Sequence, residues 1–562
     1  MALKESHFTG PNKETLWHKT IGQRFDEVVA AQPDHLALVV RHQDIRWSYS
    51  DYRQQVDRLA MGLLALGIEP GDRVGIWAPN CVQWCLVQFA TAKIGAIMVC
   101  INPSYRSFEL DFALNKVQCK ALVTARGFKG SDYLAMLAEL APELAQCRPG
   151  ELRAHALPHL RHVIALGDEA VAGCWRFDDI LSDSDELRQR LTLRGRQLNP
   201  DSPINIQFTS GTTGSPKGAT LTHNNILNNA RLVGDGMHFG PSDRLCIPVP
   251  LYHCFGMVLG NLLCVAHGAT AVFPAESFDP VSTLEAVQEE GCTALHGVPT
   301  MFIAELECPQ FERFDLSTLR TGIMAGSPCP VEVMHKVMAR MHMQEVLIAY
   351  GQTEASPINH MTLADDPLDK RIGTVGKAGE QVEVKIVDPL GQTLPIGEQG
   401  EICSRGYNIM HGYWGDEART REAIDEAGWL HSGDLGIMDE DGYVQVVGRI
   451  KDMIIRGGEN IYPREVEEFF YSHPKIQDVQ VFGVPDEKYG EQVCAWIRLK
   501  EGQQASEEEL RTFARERITH FKIPRYIRFV EQYPMTVTGK IQKFRMREAM
   551  TQELAEPARA GH

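Results

Sequence analysis

Thr209-Ser210-Gly211-Thr212-Thr213-Gly214-Ser215-Pro216-Lys217-Gly218 follows directly on the β-rich run 204–208. Its small residues let the backbone approach phosphate oxygens closely, and successive N–H groups can form an anion-binding concavity. Hydroxyls at Ser210, Thr212 and Thr213 add donors, and Lys217 adds a positive charge. The stretch is not a Walker A loop. That motif ends in Gly-Lys-Ser/Thr, whereas here Pro216 precedes the lysine and Gly218 follows it.

Outward from this loop, short β-rich runs alternate with helical patterns from about Asp72 to Glu354. Runs at 73–77, 97–101, 204–208, 245–248, 270–273, 293–296 and 346–350 read as strands. Segments 82–93, 223–233, 281–290 and 331–341 read as helices between them. This alternation predicts an α/β fold of layered, mostly parallel sheets. The pattern then changes. Runs 382–387 and 401–404, flanking a turn at Asp388-Pro-Leu-Gly391, predict a β-rich subdomain of hairpins. After Arg449 comes a compact α+β unit, with helices over 463–471 and 507–519 and strands near 479–484 and 493–499. A chain of 562 residues exceeds what one core usually serves. We therefore expect a large domain over residues 1–450 and a small one over 451–562.

The stretch 254–273 lacks a formal charge, but Asn261, His267 and repeated glycines interrupt it. A helix ending near Gly268 followed by a strand explains it better than a membrane span. The net charge of −17 argues against a nucleic-acid partner. One basic cluster stands out, ten Lys/Arg between Arg511 and Arg547 against Glu516 and Glu531, and it reads as a solvated face. Fourteen cysteines show no zinc spacing, which predicts buried thiols in a reducing, cytoplasmic setting. The polar N-terminus does not read as a signal peptide.

Further motifs follow in order: Tyr350-Gly351-Gln352-Thr353-Glu354, Ser432-Gly433-Asp434, Gly448-Arg449-Ile450-Lys451-Asp452, and Pro534 to Lys540 ending in Thr-Gly-Lys. Together with the glycine–threonine loop they resemble the adenylate-forming superfamily from about residue 20 to 550. Leu251-Tyr-His253-Cys-Phe-Gly256 and Gly457-Gly458-Glu-Asn-Ile-Tyr-Pro463 look most like medium- to long-chain fatty acyl-CoA synthetases.

The resemblance implies an ATP-dependent acid–CoA ligase that uses ATP, Mg2+ and coenzyme A. It forms an acyl-adenylate and then a thioester. By resemblance the nucleotide meets the loop Thr209–Lys217, Gly326 and Ser327, Tyr350 to Gln352, and the ribose pair Asp434 and Arg449. Thr353 is the implied α-phosphate partner, Glu354 the magnesium ligand, His253 the gate to the acyl site and Lys540 the catalytic ammonium. Lys451 is the implied hinge, and Gly457 and Gly458 the pair that meets pantetheine after the small domain swings.

The chemistry fits the absence of a nucleophile machine. The substrate carboxylate is the nucleophile, there is no GxSxG, and adjacent His253 and Cys254 would not face one another on a helix. What such an enzyme must supply is charge cancellation and alignment. Met257, Val258, Leu262, Val298, Met301, Phe302, Ile323 and Met324 suit a hydrocarbon tail, and equally a plain core. The absence of a carboxylate in His253–Gly256 argues against an amino-acid substrate by the same resemblance. The alternatives are an aryl- or other carboxylate–CoA ligase of the same fold and, more distantly, a non-catalytic nucleotide-binding regulator. At most peripheral membrane contact is expected, and the sequence is compatible with a homodimer.

Overall fold

The structure is a computed structural model that describes residues 3–209, 216–515, 517–536 and 539–559. Among the described residues up to Arg449 there are three large sheets and one two-stranded hairpin, Gly127–Phe128 with Ser131–Asp132. The first runs in the order Trp175–Arg176, His162–Ala165, Ala121–Thr124, Arg73–Trp77, Ile97–Cys100, Pro203–Thr209, Lys217–Thr222, Gly412–Tyr413. It is parallel as far as Pro203–Thr209, and its last two strands are antiparallel. The second has a parallel centre in which Thr321–Ala325 lies between Ala294–Leu295 and Glu345–Gly351. The expected α/β architecture is present, with the parallel strands buried on both faces as such sheets require.

The strands flanking the glycine–threonine stretch pair with each other, Thr209 opposite Lys217 and Phe208 opposite Gly218. A strand, not a helix, therefore follows the stretch, in contrast to a Walker A loop. The helix His223–Gly236 begins one strand later, capped by Thr222, whose hydroxyl accepts the Asn225 N–H.

The uncharged stretch after His253 folds inside the protein. It comprises Cys254–Gly256, a π-helical segment Met257–Leu262 and the α-helical turn Leu263–His267, closed by Gly268. Strand Thr270–Phe273 follows. Asn261 donates its amide N–H to Gln88 Oε1 at 2.8 Å, and its own buried Oδ1 has no hydrogen-bond partner among the described residues. No helix among the described residues is long and apolar enough to cross a membrane.

Residues 382–387 and their neighbours form the third sheet, His7–Thr9, Val382–Val387, Gln399–Gly406, Leu430–Met438 and Val444–Arg449, antiparallel throughout. It ends at Arg449. After the short turn Ile450–Asp452 a separate sheet begins, built on the long pair Ile476–Asp486 and Gly490–Leu499. Its core, which includes Val466, Phe470, Val481 and Ile497, is distinct from those of the large domain. All fourteen cysteines are free thiols, and only Cys147 is not buried.

Candidate active site

The ends of the second and third sheets bring Tyr350, Asp434 and Arg449 together. Asp434 and Arg449 are direct cross-strand partners, and Arg449 Nε lies 3.1 Å from Asp434 Oδ1. Tyr350, at the end of Glu345–Gly351, donates its hydroxyl to Asp434 Oδ2 at 2.7 Å. The carboxylate is 6% exposed. Burial pushes its pKa up, and Arg449 and the Tyr350 hydroxyl pull against that. Gly326 and Ser327 leave the neighbouring strand beside Tyr350, because Ala325 pairs with Ala349.

Behind the Ser432–Asp434 turn lies a brace with no local sequence signal. Glu401 accepts the Gly433 N–H through Oε1 at 2.9 Å and pairs with His431 Nδ1 through Oε2 at 2.9 Å. Contacts with Cys403 and Glu401 push the His431 imidazole up to about 10.

Past Tyr350, Gly351 and Gln352 the chain enters the turn Thr353–Ala355, and both Thr353 and Glu354 are buried. Thr353 Oγ1 lies 3.7 Å from Cys254 Sγ. Glu354 Oε1 accepts the Tyr413 hydroxyl at 2.7 Å and the Thr209 hydroxyl at 3.3 Å. Lys217 donates to the Tyr413 oxygen at 2.8 Å and sits 4.3 Å from its ring centroid. The residues on either side of the glycine–threonine stretch are thus tied to Glu354. Ser210, Gly211, Thr212, Thr213, Gly214 and Ser215 lie outside the described residues, whereas Pro216 is described and unremarkable. Among the described residues nothing hydrogen-bonds the second carboxylate oxygen of Glu354. A carboxylate beside hydroxyls is an oxygen donor set that fits a hard divalent cation.

Lys540 reaches this place from the small domain. Its Nζ is 3.5 Å from His253 Nε2, and its Cε would lie 3.4 Å from a Cβ on Gly326. Thr300 Oγ1 secures the approach by donating to the Gly539 carbonyl at 3.1 Å. His253 caps the following helix, its Nδ1 accepting the Phe255 N–H at 3.2 Å. A neutral ring with that tautomer carries its proton on Nε2, so two donors face each other. Burial pulls the Lys540 ammonium below its ordinary value. Burial and then Lys540 hold His253 well below its own, so it stays neutral. Arg449, Glu354 and Asp434 all act on the charge of Lys540. The separate motifs therefore converge on one centre, which has an ammonium in need of an anion.

Three expectations need correcting. His253 and Cys254 do approach, at 3.7 Å, because His253 is a cap and not a helical residue. Burial still pushes the Cys254 thiol up to about 11, so no thiolate–imidazole pair arises. Phe302 and Met324 belong to a hydrophobic cluster separate from the one that holds Met257, Val258, Leu262, Val298, Met301 and Ile323. The helix expected over 507–519 ends at Arg515.

Lys451, Gly457 and Gly458 are not at the centre in this arrangement. Lys451 is exposed in the turn Ile450–Asp452. Gly457 and Gly458 form the tip of a hairpin at φ +61° and +90°. Two consecutive positive φ values favour glycine for a local reason alone. The basic cluster is largely paired with carboxylates outside its own window: Lys522 with Glu465, Lys543 with Glu467, Arg528 with Glu553 and Arg547 with Glu491.

Two family models match the chain, one of an AMP-binding enzyme over residues 25–414 and one of an AMP-binding enzyme C-terminal domain over 465–540. The protein YngI of Bacillus subtilis (strain 168) is 50% identical over 95% of this chain and 97% of its own. The mitochondrial medium-chain acyl-CoA ligase ACSF2 of Danio rerio is 45% identical over 98% of this chain and 92% of its own. Among solved structures, the anthranilate CoA ligase AuaEII in complex with anthranoyl-AMP is similar, with a TM-score of 0.85 and 27% identity. That match covers 96% of this chain and 98% of that one.

Proposed function

Because the chain belongs to the family of AMP-binding enzymes, we infer that it is an acyl-CoA synthetase working in two steps. A carboxylate oxygen attacks the α-phosphorus of ATP, giving acyl-adenylate and pyrophosphate. The thiol sulfur of coenzyme A then attacks the acyl carbonyl, a proton leaves the sulfur, and AMP departs with the C–O bond electrons. The observation that carries the residue assignment is the Lys540 ammonium, brought to His253 Nε2 with no carboxylate paired to it among the described residues. An incoming carboxylate and α-phosphate supply the missing anion, so the charge develops where a cation already stands.

The other roles follow from chemistry. Asp434 accepts from the ribose hydroxyls, with Arg449 and Glu401 fixing its strand ends. Tyr350 offers its ring to adenine beside Gly326 and Ser327, and Thr353 reaches the α-phosphate. Glu354 would hold Mg2+, which offsets triphosphate charge and aligns the departing pyrophosphate. His253, neutral and buried between the nucleotide centre and the apolar helix after it, is the gate to the acyl site.

In the second step Lys540 must leave to admit a thiol. A swing about Lys451 would remove it and present the Gly457–Gly458 hairpin tip, a gating motion of a common kind. The preferred acids are medium- to long-chain fatty acids, since a relative at 45% identity is a medium-chain ligase and the wall after His253 is apolar. We place the enzyme in the cytoplasm, where free thiols persist.

AMP release measured across acids of increasing length tests the assignment. A maximum on alkyl acids is expected. Turnover confined to benzoates or cinnamates would overturn the fatty-acid assignment and leave an aryl-CoA ligase, the chemistry of the structural neighbour AuaEII.

A further inference from the structure

The side chain holding Lys217 and Glu354 apart belongs to neither the loop nor the Tyr350–Glu354 motif. Tyr413 lies on the two-residue edge strand Gly412–Tyr413, paired with the strand that leaves the phosphate-loop stretch, Ala219 opposite Tyr413. Its backbone is fixed from three sides. Tyr413 N–H donates to Thr420 Oγ1 at 2.9 Å, His411 N–H to the Thr220 carbonyl at 2.9 Å, and Met410 N–H to the Glu354 carbonyl at 2.9 Å. The ring is buried. One oxygen then does two things: it accepts from the Lys217 ammonium at 2.8 Å and donates to Glu354 Oε1 at 2.7 Å.

An ammonium and a carboxylate this close would otherwise form a direct ion pair. In such a pair Lys217 would spend its donors, and Glu354 its oxygens, on each other, and a triphosphate with its cation would have to break the pair before binding. A phenol in between satisfies one valence of each group and leaves the others directed elsewhere. We propose that Tyr413 is a positioning residue for the nucleotide. In this reading its hydroxyl keeps Lys217 and Glu354 separately poised, the lysine for phosphate oxygens and the carboxylate for the divalent cation. Tyr413 touches no reacting atom, and its effect is exerted through the other two residues. The inference rests on Lys217 and Glu354 belonging to the ATP site.

Tyr413→Phe removes the hydroxyl and keeps the ring. The readout is equilibrium binding of ATP to the full chain by calorimetry, with Mg2+ and without acid, alongside melting of the free protein and the three KM values. The expected result is MgATP affinity weakened about tenfold and KM for ATP raised to match. KM for acid and for coenzyme A, and kcat, should stay within about threefold, and the melting point should be nearly unchanged. In a Lys217→Met background the same hydroxyl removal should weaken ATP binding less than threefold, since half of what it positions is gone.

Unchanged MgATP affinity in Tyr413→Phe, or equal loss in all three KM values, overturns the proposal. Should that variant fail to fold, 3-fluorotyrosine at position 413 keeps shape and hydroxyl but weakens the oxygen as an acceptor. MgATP binding weakened severalfold supports the proposal, and unchanged binding overturns it. If wild-type protein itself binds no ATP, the underlying site assignment has failed, a result distinct from either outcome.

Discussion

The proposed nucleotide side and the proposed acyl side of this centre are built in opposite ways. On the nucleotide side most described polar groups already have a partner: Asp434 has Tyr350 and Arg449, Glu354 has Tyr413 and Thr209, and Lys217 has Tyr413. On the proposed acyl side Met257, Val258, Leu262, Val298, Met301 and Ile323 belong to one hydrophobic cluster and are nearly sealed from solvent. Polar binding sites must satisfy their groups while waiting for a ligand, because an orphaned buried group costs about 1–3 kcal/mol. Apolar ones can close on themselves. A polar site therefore shows its shape before the ligand arrives, and an apolar one need not. Lys540 facing His253 is the exception on the polar side, and the test of it has the largest expected effect.

Lys540→Ala should lower adenylate formation by about a thousandfold or more, the scale for removing a donor from a developing charge. Thioester formation from preformed adenylate should change less than tenfold if the proposed swing removes Lys540 before that step. Separate assays of the two half-reactions check this, and equal losses would break the swinging-domain account. The lowered Lys540 pKa also fixes a sign. The ammonium is the working form, so kcat/KM for ATP should fall on the alkaline side at a pH below that of an ordinary lysine. Lys540→Arg should move that limb upward.

Asp434→Asn comes next, with kcat/KM for ATP expected to drop about a hundredfold as charged hydrogen bonds are lost on a buried site. Glu401→Gln should cost about tenfold through the turn it braces, with the loss in KM for ATP rather than kcat. If Glu401→Gln is silent, the Gly433 contact is merely local.

The acyl side needs a different experiment. Met257→Phe enlarges a residue in the π-helical segment. If the wall receives the tail, chain-length preference should shorten by several carbons while the melting point holds. If Met257 is only core, overpacking should destabilise by about 1–3 kcal/mol and leave the preference unchanged.

The same contrast explains what the sequence made legible. Residues 73–77, 270–273, 382–387 and 463–471 have the predicted bounds, because short β-rich runs, and an amphipathic helix opened by a proline, carry their own signal. Asp434 and Arg449 were legible through their motifs, and the register places them opposite each other. Tyr413 was not, since its partner strand lies nearly two hundred residues earlier and its Gly-Tyr-Trp context has no periodicity. Nor was the Glu401–His431 brace, which exists only through sheet pairing. The antiparallel partner after the phosphate-loop stretch, and the division of the apolar residues between two clusters, are likewise products of long-range packing. Local patterns report which residues are apolar. They do not report which side of a sheet those residues face.

The smallest effect expected comes from a buried carboxyl beside the proposed acyl side. Glu305 lies on the helix Pro299–Leu306, which also supplies Met301, and is 1% exposed with neither carboxylate oxygen hydrogen-bonded among the described residues. Burial alone pushes its pKa well above the ordinary carboxylate value, so the folded protein keeps a proton that the unfolded chain releases. Stability from this site is whole below the unfolded pKa. It declines as pH rises, by about 1.4 kcal/mol per unit, until the folded carboxyl itself ionises. Glu305→Gln cannot ionise and should not decline. Its melting point should match wild type near pH 5 and exceed it by a few degrees at pH 8, measured as paired melts across the range. Parallel curves would mean that the carboxyl finds a partner in solution, and the acyl side would then obey the same pairing rule as the nucleotide side.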